Sequence, residues 1–399
     1  MESESDPEND PVGLWLNGGP GSSSLIGMMT ENGPFMTNDD SLREALPFGN
    51  HSVPRLFHRD YHWAKSASYI WLESPAGVGF SYCDYGIMNK TTGAKYPCTA
   101  NDTSTAQDNH AVLKAFFKGF PEFAENDFFI TGESYAGIYI PTLAEQIMLD
   151  HENKINLKGL AIGNGCWGSA VGLCSFGSDM DRVWQQFLYG HNAITPVAYK
   201  GIVKACGDPM DGPGSWSNCT GQGPVCSNML KPSDRYASDD CQHALNNVSA
   251  DEFTGQGKTA NYEIYNYYDT CYSTTDIRRR LEHEHVGMTA ADRAAMIEHL
   301  RNGGEFGAAV HIGEKPLTSG GALNDYTCGG MGAMGKWLEQ PEVIAALHVE
   351  NDGTHRYPGA VAYGPRTEGD LRGLYKILAE KYKLMIYSGG ELLGLAVFT

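Results

Sequence analysis

The most constraining stretch of this chain is an apolar run that leads straight into a glycine-flanked serine and then into a helical pattern. Residues 128–131 have the character of a buried strand, Gly132-Glu133-Ser134-Tyr135-Ala136-Gly137 follows, and 138–148 carries helical periodicity. A turn this abrupt needs small flanking residues, because strand and helix backbones must pass close to one another. Ala136 stands where the general G-x-S-x-G pattern has its second glycine, a slight change since alanine is still compact. The motif alone leaves two readings open: a nucleophile lifted clear of a sheet, or an exposed serine in a strand-to-helix turn.

Further strand-like runs lie at 12–16, 69–72 and 157–162, apolar and bounded by Gly or Pro. With helical patterns at 108–117 and 138–148 between them, strands alternate with helices, which predicts an α/β fold with a mostly parallel sheet covered on both faces. From about Cys166 to Cys328 the character changes. Most of the cysteines, the glycine-rich segment 207–223 and the charged helix-like run 276–284 fall there. The expected organisation is a first part of the core at 1–165, an inserted disulfide-bearing cap at 166–330, and a second, incomplete part of the core at 331–399. In that last part helical periodicity covers 335–348, a helix is expected over 368–383 and a strand over 384–387. There is no internal repeat.

An apolar content of 41% with 48 glycines and 19 prolines places the chain among loop-rich globular proteins and not among disordered ones. A net charge of −19 repels phosphate backbones and anionic lipid, so neither nucleic acid nor a membrane surface is an expected partner. The apolar C-terminal stretch 384–399 is shorter than the ~20 residues of a bilayer helix. The ten cysteines show no CxxC pair and no regular Cys/His spacing, so disulfides explain them better than zinc. Five glycosylation sequons, at Asn50, Asn89, Asn101, Asn218 and Asn247, agree with passage through the secretory pathway, although residues 1–11 are acidic and polar and hold no signal peptide.

Directly after the first strand comes Asn17-Gly18-Gly19-Pro20-Gly21-Ser22-Ser23-Ser24. A glycine-rich turn at the carboxyl end of a strand leaves backbone N–H groups free to face a crevice, as an oxyanion hole requires. A phosphate-binding loop is the rival, and it fails on detail: neither the lysine of G-x-x-x-x-G-K-[ST] nor a G-x-G-x-x-G fingerprint is present.

Taken in order, NDPVGLWLNGGPG at 9–21, ENGPF at 31–35, LESPAGVGFSY at 72–82, GESYAG at 132–137, GNG at 163–165 and QPEVIAALH at 340–348 resemble the serine carboxypeptidases of the α/β-hydrolase fold. The resemblance runs from about residue 6 to 389 and is loose over the cap. It implies Ser134 as nucleophile, the N–H groups of Gly19 and Tyr135 as oxyanion donors, and Asn17, the backbone of Gly18, Glu31 and Glu133 as the pocket for a substrate's terminal carboxylate. A carboxyl group can donate to that carboxylate only while it keeps its proton, so recognition should favour acidic pH. The implied activity is release of C-terminal residues from peptides through a seryl acyl-enzyme, with peptide or protein C-termini as partners, no cofactor and no metal, in a vacuolar, lysosomal or extracellular setting. Homodimerisation stays open.

The chain departs from the family pattern in three places. Where the catalytic Asp is expected, the sequence reads Gly389-Gly390-Glu391-Leu392, and the His segment would fall past Thr399. Glu391 is a poor substitute, since neighbouring side chains point different ways. His348 and His355 come late in the chain, but His348 is expected to be packed or on the surface. The run Glu282-His283-Glu284-His285 lacks H-E-x-x-H spacing and reads as a solvated charged face. The chain as it stands is therefore expected to be inactive, and a peptide-binding protein without turnover, or an acyltransferase of the same fold, are the alternatives. Ser22 replaces a usual cysteine, which leaves Cys328 without its expected partner. Finally, the start of the chain falls within the family's early strands, both ends read as cuts, and an open sheet edge is expected.

Overall fold

The computed structural model describes residues 1–38, 41–42, 44–48, 51–83, 98–175, 187–190, 194–206, 238–248, 330–349, 357, 359 and 361–389. Its centre is a sheet of five strands: β1 (Val12–Leu16), β2 (Ser68–Trp71), β3 (Phe128–Glu133), β4 (Leu157–Gly163) and β5 (Lys383–Tyr387). They lie side by side in the order β5-β4-β3-β1-β2, and every neighbouring pair is parallel. All five residues of β1 are buried, as its unbroken apolar run requires of a central strand covered on both faces. The α/β-hydrolase class expected from the sequence is the class observed.

This order sets where chemistry can occur. The chain passes from β1 outward to β2, then returns to the other side of β1 to form β3, so the order reverses between β1 and β3. Such a reversal opens a crevice beyond the carboxyl ends of the two strands. Leu16 is in register with Gly132, which sets the loop after β1 beside the turn after β3.

Helix α1 (Asp102–Gly119) precedes β3, and α2 (Ala136–Leu149) follows it. The periodic apolar positions marked only 108–117 of α1. It begins six residues earlier because Asn101 Oδ1 accepts from the Ser104 N–H at 2.8 Å while the Ser104 hydroxyl accepts from the Asn101 N–H at 3.0 Å, a reciprocal cap. The cap uses Oδ1 of this sequon asparagine, so Nδ2, the atom a glycan would take, is not spent on it. Helix α2 is buried along most of its length. Its Ile138, Ile140 and Leu143 pack with Leu14, Leu16 and Ile130 of the sheet, and each such buried aliphatic contributes about 1.5–3 kcal/mol.

Of the segment expected as a cap, helices α3 (Pro196–Cys206) and α4 (Asp239–Val248) are described, joined by the Cys206–Cys241 disulfide around a separate cluster of Leu188, Ile194, Ile202 and Leu245. Cys166–Cys174 and Cys83–Cys98 are also bridged, so all six described cysteines are paired. The segments 207–223 and 276–284, Cys328, and sequons Asn50, Asn89 and Asn218 lie outside the described residues. Asn247 falls in the last turn of α4.

The helical pattern at 335–348 resolves into α5 (Gly330–Leu338) and α6 (Pro341–Ala346), because Pro341 holds Gln340 in an extended conformation. Helix α7 (Arg372–Ala379) is shorter than expected and feeds β5. At the opposite edge, the expected open strand β2 is partly occupied: Tyr69 and Met1 exchange two backbone hydrogen bonds, at 2.8 and 2.9 Å. Among the described residues no helix is long and apolar enough to cross a membrane.

Candidate active site

Ser134 sits at the crest of the turn between β3 and α2 with φ at +61°. This left-handed conformation costs a non-glycine residue about 1–3 kcal/mol, so the surroundings must impose it. They do so through three backbone bonds. The Ser134 N–H donates to Gly163 O at 3.0 Å, and its carbonyl accepts from Gly137 N at 3.0 Å and Cys166 N at 2.9 Å. The small residues of the motif are sterically required: a Cβ on Gly132 would lie 2.3 Å from the Leu16 carbonyl, and one on Gly137 would lie 2.3 Å from the Cys166 carbonyl. Ala136 is tolerated because its single methyl faces Gly132.

The loop after β1 lies against this serine. A Cβ on Gly18 would come within 2.8 Å of Ser134 Oγ and 2.4 Å of the Tyr135 amide nitrogen, so only bare backbone fits there. Gly19, at φ +110°, turns the loop. Ser22 N–H closes the turn onto Gly18 O at 3.0 Å, and Gly21 N–H reaches the Tyr139 hydroxyl at 3.2 Å. Glu73 then anchors the far end, accepting from the Ser23 hydroxyl at 2.7 Å and the Ser24 N–H at 3.1 Å. Burial pushes its carboxyl up to about 7, against the two hydrogen bonds that favour the charged form. Nothing in the sequence marked Glu73 beyond its place in the 72–82 motif.

Asn17, Glu31 and Glu133 meet as one polar slot. The Asn17 carbonyl oxygen accepts from Trp15 Nε1 at 2.7 Å and from Gly27 N–H at 3.0 Å, which fixes the direction of its amide. Its Nδ2 must therefore donate the other way, and it reaches Glu31 Oε1 at 3.3 Å and Glu133 Oε1 at 2.9 Å. Glu31 is raised well above the usual carboxylate range by burial and then by the charge of Glu133, with Asn17 and Arg59 opposing. Glu133 is raised by burial. Two buried acids sharing one donor cannot both ionise cheaply, so the slot favours a protonated carboxyl. Glu31 is carried by the short helical turn Gly27–Glu31, whose Met29 packs on Met334 and Leu338 of α5.

Two residues at this site escaped the sequence. Tyr387, at the end of β5, is pushed up to about 12 by burial and then by the charges of Glu133 and Glu31, and its ring fills the space a side chain at Gly163 would need. Asp102 binds the Tyr135 hydroxyl at 2.8 Å from the N-terminus of α1. His348 is brought nowhere into the slot's hydrogen bonding: it is exposed at the end of α6 with φ at +54°. His355, the run 282–285, Glu391 and Leu392 lie outside the described residues.

Residues 1–391 match the family model described as serine carboxypeptidase. Serine carboxypeptidase-like 20 of Arabidopsis thaliana is 32% identical over 364 residues, covering 88% of this chain and 62% of that protein. Lysosomal protective protein of Mus musculus is 47% identical over 165 residues, 41% of this chain and 30% of that protein. The chain thus spans less than two thirds of these relatives. Among solved structures, Kex1(delta)p, a prohormone-processing carboxypeptidase from Saccharomyces cerevisiae, superposes with a TM-score of 0.57 at 19% identity, covering 98% of this chain and 68% of that one. At that identity the likeness concerns the fold.

Proposed function

The chain belongs to the serine carboxypeptidase family, and from that premise we propose that its crevice binds the free C-terminus of a peptide and presents the last peptide bond to Ser134. The terminal carboxylate enters the slot of Asn17, Gly18, Glu31 and Glu133, where a protonated carboxyl donates to it. Ser134 Oγ attacks the carbonyl, and the N–H groups of Gly19 and Tyr135 receive the developing oxyanion, each such donor supplying on the order of 3 kcal/mol of barrier lowering. Collapse of the tetrahedral species expels the C-terminal residue and leaves an ester on Ser134, which water then hydrolyses.

The observation that carries this reading is the single Asn17 amide bonded to both Glu31 and Glu133 beside a serine at φ +61°. Because both acids are raised, binding strengthens as pH falls. The disulfides and the lysosomal relative support a lysosomal, vacuolar or extracellular location.

Acyl transfer also needs a base for the serine proton and a carboxylate to orient that base. Leu392 stands where the family pattern has its Asp, and this supports a second reading: binding of peptide ends without turnover. A fluorophosphonate separates the two. Labelling at Ser134, with release of the last residue from blocked dipeptides at about pH 4–6, supports the peptidase. Binding of free but not amidated C-termini without labelling supports the binding protein. Failure to distinguish free from amidated ends would refute both.

A further inference from the structure

The turn around residues 57–62 brings two imidazoles to a carboxylate of the N-terminal segment: candidate donor atoms of Glu4, His58 and His62 all lie within 4.8 Å of one another. None of the three takes part in the serine crevice, and the sequence reading assigned no metal ligand.

His62 is the informative member. Its side chain is fully buried; among the described residues Nδ1 has no hydrogen-bond partner, and Nε2 meets only the Glu4 carboxylate, an ion-pair contact without good hydrogen-bond geometry. A buried polar atom left this way is costly and asks for a partner. Its Nε2 is aimed at Glu4, 3.3 Å from Oε1. Two ligands of one tetrahedral zinc stand about 3.3 Å apart, given metal–ligand distances of about 2.0–2.1 Å.

The His58 ring meets the His62 ring edge to face, with centroids 5.5 Å apart. Its Nδ1 lies 3.5 Å from Asp60 Oδ1, an ion-pair distance that places a carboxylate beside this imidazole. A carboxylate behind a histidine is the usual second layer of a zinc site. The third donor atom has no more than about 1.5 Å to travel to reach zinc-like spacing. The side chains of His58 and Glu4 are 57% and 55% exposed, so they can move and an ion can enter from solvent.

We propose that Glu4, His58 and His62 form a divalent-cation site of the zinc class, with His58 ligating through Nε2, Asp60 behind it, and solvent in the fourth position. Imidazole with one carboxylate suits zinc better than magnesium or calcium, which prefer all-oxygen shells. The ion would tie the N-terminal segment to a turn that is already stitched to the Glu31 region: Arg59 N–H donates to Pro34 O and Trp63 N–H to Asn32 O, both at 2.9 Å. The site stands apart from the peptidase reading and can be tested without any activity.

The test uses the whole 399-residue chain, free of any histidine tag, stripped with a chelator and titrated with zinc chloride by calorimetry and with cobalt chloride by visible absorption. One equivalent should bind, the cobalt form should show the bands of a four-coordinate centre, and zinc should raise the melting temperature by a few degrees. His58→Gln and Glu4→Gln, both at exposed positions, should each weaken binding by more than about tenfold, and Asp60→Asn by about tenfold. His62→Gln should abolish binding, but the two exposed variants decide the matter if it fails to fold. Absence of saturable zinc binding, or one equivalent bound with unchanged affinity in the Glu4→Gln/His58→Gln double variant, would overturn the proposal.

Discussion

Glu73 shows how one side chain can write a pH dependence into the loop that flanks Ser134. Burial raises its carboxyl from the ordinary 4.5 to about 7, so the folded state holds a proton that the unfolded chain has already released between those values. Where the native state binds more protons, stability falls as pH rises. The penalty is absent below about pH 4.5, grows through the interval and is complete above pH 7, amounting to about 3 kcal/mol for a shift of this size. Glu31 and Glu133 are raised as well and act in the same direction, so the contribution of Glu73 must be isolated by difference. Glu73→Gln should unfold at higher urea relative to wild type at pH 8 than at pH 5, and an equal difference at both values would mean that Glu73 titrates as an exposed acid. At this scale the candidate site was legible only where its residues stand in contiguous motifs. Asn17, Glu31, Glu133 and Ser134 stand in contiguous motifs whose demands for small neighbours or a sharp turn are local. Glu73 bonds to Ser23 and Ser24 across about 50 residues, and Tyr387 packs against Gly163 from the last described strand, so no local pattern announces either.

Strand β1 was readable to the residue because its whole apolar run is buried, whereas helix boundaries were missed wherever polar chemistry and not hydrophobic period set them. The reciprocal cap of Asn101 and Ser104 started α1 early, and Pro341 split the helical pattern after α5. A second proline was passed over altogether. Pro141 lies inside α2 and has no N–H for the Gly137 carbonyl one turn earlier. The Tyr375 hydroxyl of α7 supplies the missing donor at 2.6 Å, so a flaw in one helix becomes its attachment to another. Tyr375→Phe should therefore cost about 1–3 kcal/mol, the penalty of a buried carbonyl left unpaired. In a Pro141→Ala background the helix regains its own donor and the same substitution should cost clearly less. Urea denaturation of the four proteins gives the coupling directly, and additivity within about 0.5 kcal/mol would show that the hydroxyl does not stand in for the missing amide.

At the scale of the whole molecule, the sheet must be rejoined after the long excursion that begins near Cys166, and Asp102 is where that return is fastened. Its Oδ1 accepts from the hydroxyls of Tyr135 at 2.8 Å and Tyr363 at 2.7 Å, while Oδ2 accepts from the backbone of Thr367 at 2.6 Å and Glu368 at 2.9 Å. The last two bonds close loops of 265 and 266 residues, and Val361–Tyr363 runs parallel to Cys98–Ala100 just before α1. Because Tyr135 follows Ser134 directly, the same carboxylate that secures the returning chain also fixes the residue beside that serine. A carboxylate serves here because its two oxygens can each accept from two donors. Asparagine offers one acceptor oxygen and turns an NH2 group toward donors that then have no partner. Asp102→Asn should cost about 2–4 kcal/mol, as expected when buried donors lose their acceptor, and Tyr363→Phe, which removes one bond, about 1–2 kcal/mol. Limited proteolysis should cut the Asp102→Asn protein first within 357–389 while the β1–β3 centre persists. Unfolding of this variant within about 1 kcal/mol of wild type, or cleavage that begins elsewhere, would show that the return is held by the packing of α7 on α2 instead.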